Sequence, residues 1–189
     1  AIDAAQPGGI VAVGPGLYNE GVILYKNITL LGSGANGTTI VGNPNPVERL
    51  AAWHVKIVEL LGTDPFTANE APAIMVLGNS GYVFAEGSSA KITGFTLTGG
   101  ISGGGIYVNS LAHYLEIFNN KVKGNQGSYG GGITIGTPQL TDENLNVHVH
   151  NNEIVKNGGV EGGGGIVIYT GAHNYLIEDN LIQGNLTRR

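Results

Sequence analysis

No cysteine occurs among the 189 residues, so disulfides, thiolate metal sites and cysteine nucleophiles are excluded. Charge is scarce as well. Asp, Glu, Lys and Arg make up 12% of the chain, about half the usual globular share. What charge there is leans acidic, 14 carboxylates against 9 Lys and Arg, for a net charge of −5. Proteins that neutralise phosphate backbones show the opposite balance, so no nucleic-acid partner is expected. No apolar run approaches the length of a membrane span. Proline is limited to 7 residues and glycine follows no three-residue period, which excludes collagen. Glycine itself is abundant, with 33 residues, and 41% of the chain is hydrophobic. That is enough apolar surface for a core, and it argues against disorder.

Internal repeats organise the rest. GGGIYV at 103–108 recurs as GGGITI at 130–135 and GGGIVI at 163–168. Between these copies LEIFNNKVKGN at 115–125 matches VHVHNNEIVKN at 147–157 and YLIEDNLIQGN at 175–185. The units are about 30 residues long, and each holds short apolar alternations punctuated by Gly and Asn. Such strands are too short for helices and suit one solenoid turn per unit, each stacked on the turn before. Alternation then assigns Ile106, Val108, Ile133, Ile135, Ile166 and Ile168 to the interior. Leu115, Ile117, Val122 and their counterparts join them. Asn120, Asn152 and Asn180 fall at one aligned corner, and Asn125, Asn157 and Asn185 at another. Their amides read as internal ladders that hydrogen-bond the backbone of successive turns.

The first half carries the same rhythm less regularly. Residues 43–72 break it with four prolines, a tryptophan and much of the charge, and read as an irregular insertion ending in a protruding loop. No linker is visible, so residues 1–189 read as a single domain. The last unit stops at Arg189 before any GGGI strand, which predicts a fragment of a longer chain. Further turns or self-association would then cover the C-terminal end.

The opening AAQPGGIVAVGPGLYNEGVILYKNITLLGSG resembles the first turn of right-handed parallel β-helix proteins of the pectin-lyase-like superfamily. The later units are similar to its generic repeats. The resemblance implies an all-β fold, a right-handed single-stranded parallel β-helix, and its handedness agrees with the rule for parallel crossovers. It carries no catalytic set across. Aspartate occurs only at positions 3, 64, 142 and 179, and no arginine lies between Arg49 and Arg188. The calcium-binding aspartates and the arginine of pectate lyases, the paired aspartates of polygalacturonases and the methylesterase set therefore find no match. No cofactor is implied.

Two surfaces remain as candidates. The loops after the GGGI strands bring His113, Asp142, Glu143, Tyr169, His173 and Asn174 into one neighbourhood, where tyrosines and amides beside carboxylates suit sugar hydroxyls. A structural reading has these histidines cap backbone groups. Alignment of the units also stacks Glu116, His148 and Leu176 in one outward column, with Thr93, Phe118, His150 and Glu178 in the next. Glu116 then faces His148, and His150 faces Glu178, as an acid–base or metal patch. Its plain alternative is solvated histidines with carboxylate neighbours and no metal.

The absent lyase and hydrolase motifs favour a non-catalytic, extracellular or cell-surface β-helix domain that serves as scaffold or glycan-binding module. The alternative is a polysaccharide-active enzyme, lyase or glycoside hydrolase, with an atypical site. Polysaccharide is the partner common to both. Surface shape separates them: a groove holding a carboxylate with a histidine supports catalysis, and a flat face supports a scaffold.

Overall fold

The computed structural model describes residues 1–42, 47–78, 81, 84–137 and 143–187. Short strands of alternating apolar and polar residues bury one face each, and they do so by stacking in three main parallel sheets. The first sheet runs Ile10–Val13, Thr29–Gly32, Lys91–Thr93, Glu116–Phe118, His148–His150 and Leu176–Glu178. The second runs Gly16–Asn19, Thr38–Val41, Thr96–Thr98, Lys121–Lys123, Glu153–Val155 and Leu181–Gln183. The third stacks Val22–Leu24, Ile74–Val76, Ile106–Val108, Ile133–Ile135 and Ile166–Ile168. Two small sheets complete the five, one from Gln126–Gly127, Gly158–Gly159 and Leu186–Thr187, the other from Asn144–Leu145 and Ala172–His173.

The inward residues of the three main sheets meet in one core. Leu30, Ile92, Ile117 and Val149 come from the first sheet, Leu97, Val122 and Ile154 from the second, and Leu24, Ile106 and Ile133 from the third. The repeat registers hold, since Ile133 pairs with both Ile106 and Ile166, and Ile117 with Val149. The asparagine corners lie inside, with Asn120, Asn125, Asn152 and Asn157 all buried.

The insertion is not irregular throughout. Residues Val47–Leu61 form a helix of 15 residues, α1. Leu50, Trp53 and Ile57 recur at helical spacing and are buried against Tyr25, Met75, Leu77 and Tyr107. Met75 and Tyr107 pair in register on the outward face of the third sheet, so α1 supplies that face with a second apolar layer. Trp53 and Tyr107 each set a ring edge-on to Phe66 within it.

This helix lies in the crossover that separates Val22–Leu24 from its parallel neighbour Ile74–Val76. Five separate parallel sheets and a helix-bearing crossover make the class mixed α/β. The all-β, right-handed β-helix solenoid expected from the repeats is corrected accordingly, and the pectin-lyase-like assignment with it. The physical reason is local. Between the prolines of the insertion runs an apolar period at helical spacing, and that amphipathic segment folds against the sheet. Among the described residues no helix is long and apolar enough to cross a membrane.

Candidate active site

The first sheet places its functional groups by strand alternation. Ile117, Val149 and Ile177 pair in register with their side chains directed to the core, so the flanking residues of each strand face outward. Lys91, Glu116, His148 and Leu176 form one outward column, and Thr93, Phe118, His150 and Glu178 the next. The side chains do not pair straight along the columns. They cross: His150 Nε2 lies 3.0 Å from Glu116 Oε1, and His148 Nε2 lies 3.0 Å from Glu178 Oε1. The two imidazoles stack with centroids 4.1 Å apart, and the Phe118 ring lies parallel to that of His150 with centroids 5.1 Å apart.

The contacts distinguish the two histidines. His150 Nδ1 lies 2.7 Å from Asn151 Oδ1, so both ring nitrogens of His150 point at acceptors. Two N–H donors are what an imidazolium provides. Burial works against that charge, but the contacts to Asn151, Glu116 and Glu178 outweigh it and hold His150 above the ordinary histidine range. His148 sets one nitrogen against Glu178. With that N–H donated to the carboxylate, its Nδ1 keeps a lone pair, and among the described residues this atom has no hydrogen-bond partner. Glu116 is held from two sides, Lys91 Nζ lying 2.5 Å from Oε2 and His150 meeting Oε1. Burial alone would raise its pKa, yet these two cations bring it below the usual carboxylate range.

A donor atom from each of Glu116, His148 and His150 lies within 4.8 Å of the others, and all three side chains are half-buried. The patch borders a polar cleft of about 590 Å³, into which Lys91, Glu116 and His148 open. Asn27, Ser88, Tyr114 and Asn146 are among the polar residues that line it further. Asn27 donates through Nδ2 to Ser88 Oγ at 2.6 Å, while its buried Oδ1 has no partner among the described residues. A groove holding a carboxylate with a histidine is the shape that supports catalysis. The reading of the chain as a non-catalytic scaffold or glycan-binding module is overturned by this convergence.

The loop surface behaves differently. Asn144–Leu145 and Ala172–His173 pair in parallel, so the two loops do run side by side. His113 Nδ1 accepts the Leu145 N–H at 3.1 Å, a backbone cap rather than a free group. His173 and Asn174 are exposed, as is Glu143, and Tyr169 donates its hydroxyl to the Tyr129 carbonyl at 3.4 Å. Asp142 lies outside the described residues. Among the described residues none of this set joins a metal-ligand cluster.

Two contributors escaped sequence reasoning. Lys91 is the residue of KITGF that pairs with Glu116; the alignment reached this unit at Thr93, and the position two residues earlier in the same strand is the one it left out. Asn151 gave no signal beyond its place in NN; it adopts a positive φ of 52°, which puts its amide beside His150.

The paired shifts predict a pH dependence of stability in metal-free buffer. The His150 pKa is raised, so its contribution is full below about pH 6.5 and is lost as pH rises through the raised value. The Glu116 pKa is lowered, so its contribution is full above about pH 4.3 and is lost as pH falls through the lowered value. Together they are greatest between roughly pH 4.3 and 6.5. The other charged groups facing the pair are Lys91, His148 and Glu178. Thermal melts of the wild type and His150→Ala should differ most in that window and converge at about pH 9. A difference that stays constant across this range would contradict the assignment.

Comparison with protein families, with curated proteins and with solved structures finds no match for the chain, so its function rests on the geometry of the patch.

Proposed function

We propose that the chain is a polysaccharide-active enzyme, with Glu116, His148 and His150 as its reacting centre and the adjoining cleft as its sugar subsite. The observation that carries this reading is the convergence of the three groups at the edge of a polar cleft. Hydroxyls and amides from Ser88, Tyr114, Asn27 and Asn146 suit the many donors and acceptors of a sugar ring. A uronate polymer as substrate fits a protein that works outside the cell or at its surface.

The charge arrangement favours elimination over hydrolysis. Glycoside hydrolysis by paired carboxyls needs one protonated carboxylic acid. Glu116 is ion-paired through both oxygens and does not serve as that acid. Elimination from a uronate needs positive charge on the substrate carboxylate and a base for the proton beside it. Lys91, which opens into the cleft, supplies the charge, with the His150 imidazolium sharing the Glu116 carboxylate behind it, and His148 Nδ1, oriented through Glu178, supplies the lone pair. The C–H bond α to the carboxylate breaks and its proton passes to His148. The electron pair forms the new C=C bond as the glycosidic C–O bond breaks; the leaving oxygen takes a proton from solvent water, and His148 returns the abstracted proton to solvent, so base and water are regenerated.

A panel of neutral and acidic polysaccharides, assayed for reducing ends and for unsaturated ends in the presence of a chelator, tests the reading. Unsaturated products from a uronate polymer are expected, with kcat reduced about 10²–10⁴-fold in His148→Ala. No cleavage of any polymer, or full activity in His148→Ala, would contradict it.

A further inference from the structure

We propose that Glu116, His148 and His150 bind one divalent ion of the zinc class. Two imidazoles and a carboxylate are the donor set such ions select, and three protein ligands with a fourth position open is a common zinc arrangement. The supporting shell is already built. His148 uses Nε2 on Glu178, His150 uses Nδ1 on the Asn151 amide oxygen, and Glu116 uses Oε2 on Lys91. Each ligand is thereby held by one polar atom and keeps another for the ion: His148 Nδ1, His150 Nε2 and Glu116 Oε1. Metal-bound histidines characteristically donate their second ring N–H to a carboxylate or carbonyl oxygen, which fixes the tautomer and the ring.

The hydrogen bond from His150 Nε2 to Glu116 Oε1 spans the place the ion would take. Around zinc at ~2.0–2.1 Å the donor atoms sit about 3.3 Å apart, so His150 Nε2 and Glu116 Oε1, 3.0 Å apart, open slightly, and the His148 ring closes on them from within the 4.8 Å span of the set. Half-buried side chains on an outward sheet face have room for that movement. Lys91 beside Glu116 works against a dication, so affinity in the micromolar range is expected rather than tighter.

The consequence for activity rests on the reading of this patch as an elimination centre. The ion takes the lone pair of His148 and one oxygen of Glu116, so zinc and catalysis compete, and the chelated enzyme is the active form.

Calorimetric titration of the full chain, first stripped with chelator, with zinc chloride tests the site directly. One ion per chain is expected, with affinity at least tenfold weaker in His150→Ala and His148→Ala. Glu153→Gln, on the neighbouring sheet, should bind like the wild type. Far-UV dichroism of each variant checks that the fold is kept, and these side chains lie outside the core. Absence of binding by the wild type at micromolar zinc would overturn the proposal. So would binding unchanged in both histidine variants. Zinc binding without polysaccharide cleavage upholds the ion site and removes the enzyme reading, and cleavage without zinc binding does the reverse.

Discussion

Replacing Asn152 by alanine should destabilise the protein by about 3 kcal/mol, because several buried groups lose their partners at once, each worth about 1–3 kcal/mol. Asn152 Oδ1 accepts the Asn120 N–H at 3.0 Å and the Asn120 amide at 3.2 Å. Its Nδ2 donates to the carbonyls of Ile117 and His150, both at 2.9 Å, and to Asn180 Oδ1 at 3.0 Å. The side chain is buried, so water does not replace these bonds. For a chain of this length the melting temperature should fall by about 6–12 °C. The loss also reaches the candidate centre, since the His150 carbonyl is one of the orphaned acceptors. A melting temperature within about 2 °C of the wild type would show that the ladder contributes little.

Gly104→Ala should be worse, at about 3–4 kcal/mol, from two additive sources. Its φ is +75°, a region in which a Cβ costs about 1–2 kcal/mol. A Cβ there would also overlap the carbonyl oxygens of Gly130 and Gly131 in the next unit. Those contacts are backbone and have no rotamer to yield, so the stacked strands must separate. Gly34 provides the control. Its φ is +92°, yet a Cβ there meets nothing within 4 Å, so Gly34→Ala should show the conformational cost alone. Equal losses at the two positions in urea melts would mean that close stacking of the glycine segments is not what excludes a side chain.

Much of the site was legible because parallel stacking converts repeat alignment into neighbourhood. Aligning LEIFNN, VHVHNN and YLIEDN predicts Glu116 beside His148 and His150 beside Glu178, and these residues do pair in register. What alignment leaves open is where long side chains end. A glutamate reaches past its register partner, so the ion pairs run diagonally, and the crossing is what makes the two histidines different. The asparagine ladders were equally legible, since a short amide at an aligned corner has few other partners. Asn144 belongs to the same class but was missed, although its buried Oδ1 accepts the Ala112 N–H at 3.1 Å. It stands in the longest stretch between repeat units, and its offset from the repeat is unlike the others.

The fold class was misread for a related reason. Leu50, Trp53 and Ile57 were present at a period of 3, then 4, and the repeat logic that explained the rest of the chain gave no weight to helical spacing. The choice between scaffold and enzyme depended on depth. Nothing in the repeats encodes a cleft at the edge of the first sheet, because Gly8, Asn27, Ser88 and Tyr114 reach it from separate connections between strands.

The central claim, that the stacked histidines and Glu116 cleave a uronate polymer by elimination, meets its most direct test in the mass of the products. Chelated wild-type protein would be incubated with a uronate polysaccharide and the oligomers analysed by mass spectrometry. Elimination predicts fragments whose non-reducing end is one water lighter than the hydrolysis product, formed by the wild type and lost in His148→Ala. Fragments carrying the full mass of hydrolysis, or the lighter fragments persisting in His148→Ala, would contradict it.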